Sequence, residues 1–314
     1  MPLLFTRLAA IAEREDNVKQ YFDYELNHQA LSLFKNRLMR KPDKAALRKN
    51  LLPDKHVTEA DVANFQYVLD GGALLHRVHW GKGMLFEKVA EAYISYVRRH
   101  YGRAKIVKIV FDGYDDPMSI KATEHLRRSS KGSSQNIIVK PENEVPYAKE
   151  RFLSNNHNKS QLIGLLKNAF VADGHTVTVC KGDADAIIVK EALDSVANGN
   201  VVVVADDTDV AVMLLYHWKE NQSDIFLLQE TLGKCWSIND TSKRIEDIKE
   251  HLLFIHAWSG CDSTSSVFGK GKPSFLNLVR KSELLQCASR TMTDTGFIKK
   301  KASESKLPNN KSLR

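Results

Sequence analysis

The chain has 314 residues, 43% of them hydrophobic and 27% charged, which allows one large or two ordinary domains. That composition excludes a wholly disordered chain, a collagen-like chain and a disulfide scaffold. Lysine and arginine number 46 against 38 aspartates and glutamates, a formal charge of +8, which points mildly to a polyanionic partner.

In chain order, residues 1–65 read as a basic helical extension. Phe22, Leu26, Ala30, Leu33, Phe34 and Leu38 recur at helical spacing, and basic residues cluster from Lys35 to Lys55, broken by Pro42 and Pro53. The bland reading of that cluster is a solvated charged face. From Phe65 the pattern changes. A short apolar run ends in Asp70 and is followed by Gly71-Gly72; helical periodicity covers Met84 to Tyr101; a second run, Ile106 to Phe111, ends in Asp112-Gly113. A helix is predicted over 117–128, opening on Pro117, and a Ser-, Gly-, Lys- and Pro-rich loop over 129–148. A helix over 158–172 and a strand from His175 to Cys180 follow. Gly182-Asp-Ala-Asp185 opens a helix that ends near Gly199. The strand Asn200 to Ala205 ends in Asp206-Asp207-Thr208-Asp209, which opens a helix to Trp218. Ile225 to Leu228 is a further strand. His251 to Trp258 is an apolar helix ending in Ser259-Gly260-Cys261-Asp262. Strands alternating with helices predict an α/β fold, a mainly parallel sheet covered on both faces. The polar tail from Thr291, with Lys299-Lys300-Lys301, reads as disordered.

Cys180, Cys235, Cys261 and Cys287 are scattered, with no C-x-x-C pair to suggest zinc or an oxidised framework. No run of 18 apolar residues predicts a membrane span. Met1 to Ala12 is apolar, but Arg7 interrupts it and acids follow at once, so no secretory signal is expected. The expected location is nuclear or cytoplasmic, not secreted.

In open α/β sheets, ligands bind beyond the carboxyl ends of the strands, and this sequence repeatedly places acids there. Asp70 and Asp112 end strands, Asp207 and Asp209 follow the valine run, Asp183 and Asp185 open a helix, and Asp262 follows an apolar helix. Any one of them reads equally well as a helix cap. Two D-x-D pairs at adjacent strand–helix junctions weaken that reading, because clustered carboxylates repel and cost several kcal/mol to desolvate. Hard divalent cations such as Mg²⁺ or Mn²⁺ remove the penalty. The motifs contain no histidine, which disfavours zinc. With the seven aspartates set aside, the remainder of the chain is nearly twice as positive, a basic surface around an acidic pocket.

Val110-Phe-Asp-Gly113, Gly182-Asp-Ala-Asp185, Ala205-Asp-Asp-Thr-Asp209 and Gly260-Cys-Asp-Ser263, followed by Gly269-Lys-Gly271-Lys272, resemble the flap-endonuclease/XPG-type 5′-nucleases of the PIN-like superfamily. The order and separations of the set carry the resemblance over residues 66–285. It is closer to animal members of the superfamily than to the replication flap nucleases. It implies a PIN-like three-layer domain over 66–290, an arch-like insertion over 113–157 and a helix–two-turn–helix-like segment over 259–285. It implies two metal ions. Asp112, Asp183 and Asp185 would hold the first, with Asp70 acting through water. Asp207, Asp209 and Asp262 would hold the second, with Asp185 near both. It implies that Lys121 and Arg128 contact the scissile phosphate, that His76 takes the place of a base-stacking aromatic, and that Gly269, Lys270, Gly271 and Lys272 grip a duplex backbone. Asp206 has no assigned role, and helix capping is its default.

The pattern departs from the family in carrying Asp183/Asp185 where flap nucleases usually carry glutamates, and in placing about 65 residues before Asp70. The function implied is a divalent-metal-dependent, structure-selective nuclease acting on DNA or RNA by a two-metal mechanism. The alternative is a catalytically inactive PIN-like adaptor that binds nucleic acid or protein. A metal-dependent phosphatase of another α/β fold lacks its nucleophile motif here.

Overall fold

A computed structural model describes residues 29–36, 38–53, 57–114, 134–220 and 222–294. The chain opens with β1 (Phe34–Lys35) and β2 (Leu38–Met39), an antiparallel hairpin. Then come α1 (Lys44–Leu51), α2 (Glu59–Val62), β3 (Gln66–Asp70), α3 (Gly71–Arg77), α4 (Phe86–Tyr101) and β4 (Ile106–Phe111). After the 115–133 segment, α5 (Lys149–Leu153), α6 (Asn156–Ala172), β5 (Thr176–Val179), α7 (Asp185–Ser195), β6 (Val201–Val204), α8 (Thr208–His217) and β7 (Ile225–Gln229) follow. The last elements are β8 (Lys234–Ser237), α9 (Ile238–Arg244), α10 (Glu246–Lys249), α11 (Leu252–Trp258), α12 (Lys272–Lys281) and α13 (Glu283–Thr293).

The main sheet has six strands in the order β5-β4-β3-β6-β7-β8. All neighbours pair in parallel except β7 and β8. Parallel strands buried on both faces need apolar side chains at every position, and the four valines of β6 are buried throughout. Alternate residues then separate two cores. Val68, Val110, Val201 and Val203 pack with α1, α7, α8, α11 and α12. Tyr67, Leu69, Ile109, Phe111, Val202 and Val204 pack with α3, α4, α5 and α6. The expected α/β architecture, a mainly parallel sheet with helices on both faces, is what the chain adopts.

The strand order reverses between β3 and β6. From β3 the chain steps outward to β4 and β5, then returns to the other side of β3 to lay down β6 and β7. Such a switch point leaves a crevice beyond the strand ends. Asp70 sits at its edge and caps α3, its Oδ1 accepting from the Ala73 amide at 3.1 Å.

Three local readings change. Gly71-Gly72, which the sequence pattern assigns to no element, lies in α3. The glycines serve packing: a Cβ on Gly71 would lie 2.4 Å from the Phe111 ring. The helical stripe expected to reach Leu38 is a hairpin where it is described, because residues 32–41 bond to the Ser265–Phe268 loop. The Phe268 amide donates to the Ser32 carbonyl at 2.8 Å, and the Ser266 amide to the Arg40 carbonyl at 3.0 Å. Tertiary pairing overrides helix propensity there. Finally, β8 is an unanticipated antiparallel edge strand, reached through a turn at Gly233 with φ 59°. Phe22, Leu26, the helix expected over 117–128 and the Lys299–Lys301 run lie outside the described residues.

Candidate active site

The first group of acids gathers around the ends of β3 and β4. Asp112 follows β4, and its Oδ1 accepts from the Ala184 amide at 2.8 Å, which docks the 182–185 turn onto it. Its other oxygen accepts from the Tyr114 hydroxyl at 3.3 Å. A Cβ on Gly72 would stand 3.1 Å from Asp70 Oδ1 and 3.2 Å from Asp112 Oδ2, so the two carboxylates converge over the hydrogen face of that glycine. Burial, with Asp112 and Asp207 nearby, pushes the Asp70 carboxyl up to about 6, against the pull of the Ala73 and Gly72 amides. Asp185, the first residue of α7, is 8% exposed. Asp183, two residues earlier, is exposed, and its Oδ1 accepts from the Asp185 amide at 3.2 Å, which braces the turn that carries Asp185.

The second group lies beyond β6. Asp207 caps α8, accepting from the Asp209 amide at 3.0 Å. One carboxylate oxygen from each of Asp185, Asp207 and Asp209 lies within 4.8 Å of the others. The Lys44 ammonium, at the start of α1, enters this group. It is 2.9 Å from Asp209, 2.8 Å from Asp262 and 3.6 Å from Asp207. Burial opposes its charge, but Asp207, Asp262 and Asp209 outweigh burial and raise its pKa. Asp209 is also 3.0 Å from His256 Nε2. Burial would raise its pKa, yet His256 and Lys44 hold it well below the usual carboxylate range.

Behind His256 lies Lys272, 2% exposed. Its Nζ donates to the Ser259 hydroxyl at 3.1 Å and the His256 carbonyl at 3.2 Å, and lies 3.3 Å from His256 Nδ1. An ammonium only donates, so Nδ1 accepts and the ring proton sits on Nε2, facing Asp209. Burial pulls Lys272 down to about 8. Lys272 therefore braces the acid cluster from inside and is not on the surface to meet phosphate, which corrects the expected duplex-gripping role for this residue. Gly269, Lys270 and Gly271 are exposed on the loop before α12, with Gly269 at φ 71°.

Asp206 lines the same cleft as these acids but does not cap α8. Arg77 pairs with it and with Glu230, the latter at 2.6 Å, and the Thr231 hydroxyl donates to it at 2.6 Å. Its carbonyl accepts from Arg48 at 3.0 Å and Gln229 at 3.1 Å. The capping role expected of Asp206 belongs to Asp207.

A cleft of about 700 Å³ opens over these acids, and Asp70, Asp112, Asp185, Asp207 and Asp262 all line it. Lys44, Arg48 and Lys159 line it as well, as do His76 and Tyr114. The Lys159 ammonium lies 4.4 Å from the centre of the Tyr114 ring, a cation–π geometry. His76 is exposed on α3 and stands on the cleft wall. Lys121 and Arg128 lie outside the described residues. Sequence reasoning missed Lys44, Arg48, Lys159 and the His256–Lys272 pair. The one available signal was the basic run from Lys35 to Lys55, which reads equally well as a solvated face.

No family model matches the sequence, and no curated protein matches it. Several solved structures are similar to it. The flap endonuclease of bacteriophage T5, in a pseudo-enzyme–product complex with DNA and metal ions, is 15% identical with a TM-score of 0.44, over 73% of this chain and 85% of that one. The catalytic core of Rad2 in complex with DNA substrate is 13% identical with a TM-score of 0.47, over 83% of this chain and 76% of that one. Human GEN1 in complex with Holliday junction DNA is 15% identical with a TM-score of 0.44, over 79% of this chain and 59% of that one.

Proposed function

We propose that the chain is a divalent-metal-dependent, structure-selective nuclease that hydrolyses phosphodiester bonds in DNA or RNA. The observation that carries this reading is the convergence of Asp70, Asp112, Asp185, Asp207 and Asp262, from separate strand and helix ends, on one cleft at the switch point of the sheet. The donor set fits a hard cation such as Mg²⁺ or Mn²⁺, being carboxylate oxygens without thiolate. Asp185, Asp207 and Asp209, one oxygen of each within 4.8 Å of the others, would hold such an ion, with Asp70, Asp112 and Asp262 on the cleft wall beside them. Bound there, it would lower the pKa of a coordinated water and offset charge on a phosphate oxygen.

The remaining work falls to the chain itself. Asp70, whose carboxyl burial holds up near 6, would have its ionised form stabilised by the ion. Arg48 and Lys159 on the wall would draw in and neutralise flanking phosphates. His76 offers a flat surface to a base, and Lys270 extends the basic path outward from Asp262. Lys121 and Arg128 keep their implied place at the scissile phosphate as part of this proposal. DNA or RNA is the polymer, and a flap or other branched structure the preferred form.

One observation favours a second reading, a catalytically inactive adaptor. Lys44 partly neutralises Asp207, Asp209 and Asp262 without a metal, so these acids do not by themselves require ions. Incubation with labelled flap DNA, single-stranded DNA and structured RNA in Mg²⁺ or Mn²⁺ separates the two. The nuclease reading predicts cleavage that falls at least about a thousandfold in Asp185→Asn and Asp207→Ala. Binding without cleavage of any substrate, or cleavage indifferent to both changes, would leave the adaptor.

A further inference from the structure

A second cleft, of about 960 Å³, adjoins the one over the acids. Lys44, Asp207 and Asp262 line both, so the two join at the acid cluster. The β1–β2 hairpin forms one wall of the second cleft, and the loop from Cys261 to Gly269 forms the other. The chemistry proposed above makes no use of it.

The two walls are tied to each other. The Arg40 amide donates to the Ser265 hydroxyl at 3.0 Å, across 225 residues of sequence. The Ser265 hydroxyl in turn donates to the Leu33 carbonyl. The Ser266 hydroxyl donates to the Lys41 carbonyl at 3.1 Å, beside the bonds from the Ser266 and Phe268 amides to the hairpin. Gly260 permits the close approach. It has φ 99°, and a Cβ there would stand 2.8 Å from the Ser266 amide and 3.0 Å from Pro42. The walls are therefore a frame ordered in advance, and a ligand need not supply the free energy of ordering them.

This frame holds out apolar and flat groups. Phe268 is 69% exposed, Leu38 59% and Met39 41%. Burying a side chain of this kind is worth about 1.5–3 kcal/mol, and large apolar groups gathered at one exposed place mark a binding surface. Arg40 lies over the Phe268 ring, its Cζ 4.5 Å from the centre. Its Nε and Nη2 donate to the Leu31 carbonyl at 3.0 and 2.8 Å, which clamps the guanidinium plane. A nucleobase is thus offered two flat surfaces, the open part of the ring and the guanidinium.

Charge decides which ligand fits. Lys35 and Lys41 are exposed along this groove, and Lys270 is exposed just past Gly269. Among the described residues, the only carboxylates lining it are Asp207 and Asp262, at the end shared with the catalytic cleft. Cations beside an aromatic platform match a strand of bases linked by phosphates. A duplex keeps its bases stacked and paired, and cannot present them to Phe268.

We propose that this groove holds an unpaired strand of the nucleic-acid substrate, a base stacked on Phe268 and Arg40 and phosphates on Lys35 and Lys41, and leads that strand to the acid cluster at Asp262. The inference rests on the reading of the acid cleft as a phosphodiesterase site and names the part of the substrate held beside it. Stacking and backbone charge tolerate any base sequence. The residues ahead of α1 thereby gain a substrate-binding role.

The test measures binding apart from cleavage. Fluorescence anisotropy in EDTA follows labelled oligo-dT, labelled oligo-U and a blunt DNA duplex. The proteins are the full-length wild type, Phe268→Ala, Phe268→Trp and Lys35→Ala/Lys41→Ala. Phe268→Ala should weaken at least one single strand by about five- to a hundredfold, the worth of one stacked base. Phe268→Trp should keep that affinity, and the duplex should be indifferent to both changes. Lys35→Ala/Lys41→Ala should flatten the dependence of log K on log salt by about 1.4 for a single strand. A wild type that binds no single strand, a Phe268→Ala that binds as the wild type does or loses duplex equally, or an unchanged salt slope overturns the inference. Adding Mg²⁺ with a branched DNA separates it from the nuclease reading. Cleavage by a protein whose single-strand binding ignores Phe268 keeps that reading and overturns the groove. Phe268-dependent binding without cleavage of any substrate keeps the groove and overturns the nuclease.

Discussion

Asp70 offers the most quantitative handle on the site. Its carboxyl is partly buried, faces Asp112 and Asp207, and is pushed from 3.8 up to about 6 in the folded chain. A displacement of about two pH units corresponds to about 3 kcal/mol between its protonation states, an upper figure where water reaches part of the group. Between pH 3.8 and about 6 the folded chain keeps a proton that the unfolded chain has released. The unfolded state binds fewer protons there, so this group makes stability fall as pH rises through that window. Above it the cost is fully present, and below 3.8 it is absent. Asp70→Asn removes the charge while its Oδ1 keeps the bond from the Ala73 amide, 3.1 Å long in the wild type. Urea unfolding of both proteins in EDTA should find the variant more stable by about 2–3 kcal/mol at pH 7.5, the difference fading towards pH 4. Saturating Mg²⁺ should reverse the order, because only the wild type places a negative charge beside the ion. A variant no more stable than the wild type at pH 7.5, or a difference that does not move with pH, would refute the burial of the Asp70 carboxyl beside Asp112 and Asp207.

Two further substitutions test the frame around the site. Arg77→Met leaves Asp206 and Glu230 without their cation and should cost about 3–5 kcal/mol in urea unfolding. Mn²⁺ should still bind, because neither acid belongs to the proposed ion site; loss of the ion with stability retained would place Asp206 among the ligands instead. Gly71→Ala drives a methyl to 2.4 Å from the fully buried Phe111 ring. Overpacking of about 1–3 kcal/mol should outweigh a helix-propensity gain of about 1 kcal/mol. An urea midpoint at or above the wild type's would show that the ring can move.

How much of this could be read from the sequence follows from the range of the interactions involved. The four-valine run and the apolar run ending in Phe111 are local patterns, and they predict β6 and β4 correctly. Asp183 and Asp185 share one motif, yet one is exposed and the other 8% exposed. Their separation depends on how the 182–185 turn docks onto Asp112, which spacing alone does not encode. Lys272 stands in a glycine–lysine run suited to a phosphate grip, and its burial comes from α12 closing over His256. Lys44 sits in a basic run that looks like a solvated surface. Its role depends on acids 163 to 218 positions later in the chain, brought to it by packing of α1 against α8 and α12. Charge pairing at that separation leaves no periodic trace in one sequence.

The account's central claim is that an ion held by these carboxylates drives phosphodiester hydrolysis in the cleft. Its most direct test is the single-turnover cleavage of a 5′-labelled branched substrate by the wild-type protein across a Mg²⁺ titration. The predicted result is no cleavage in EDTA, saturable rescue on adding Mg²⁺ back, and products with 5′-phosphate ends. Cleavage that persists in EDTA, or no cleavage of DNA or RNA at any Mg²⁺ or Mn²⁺ concentration, would contradict it.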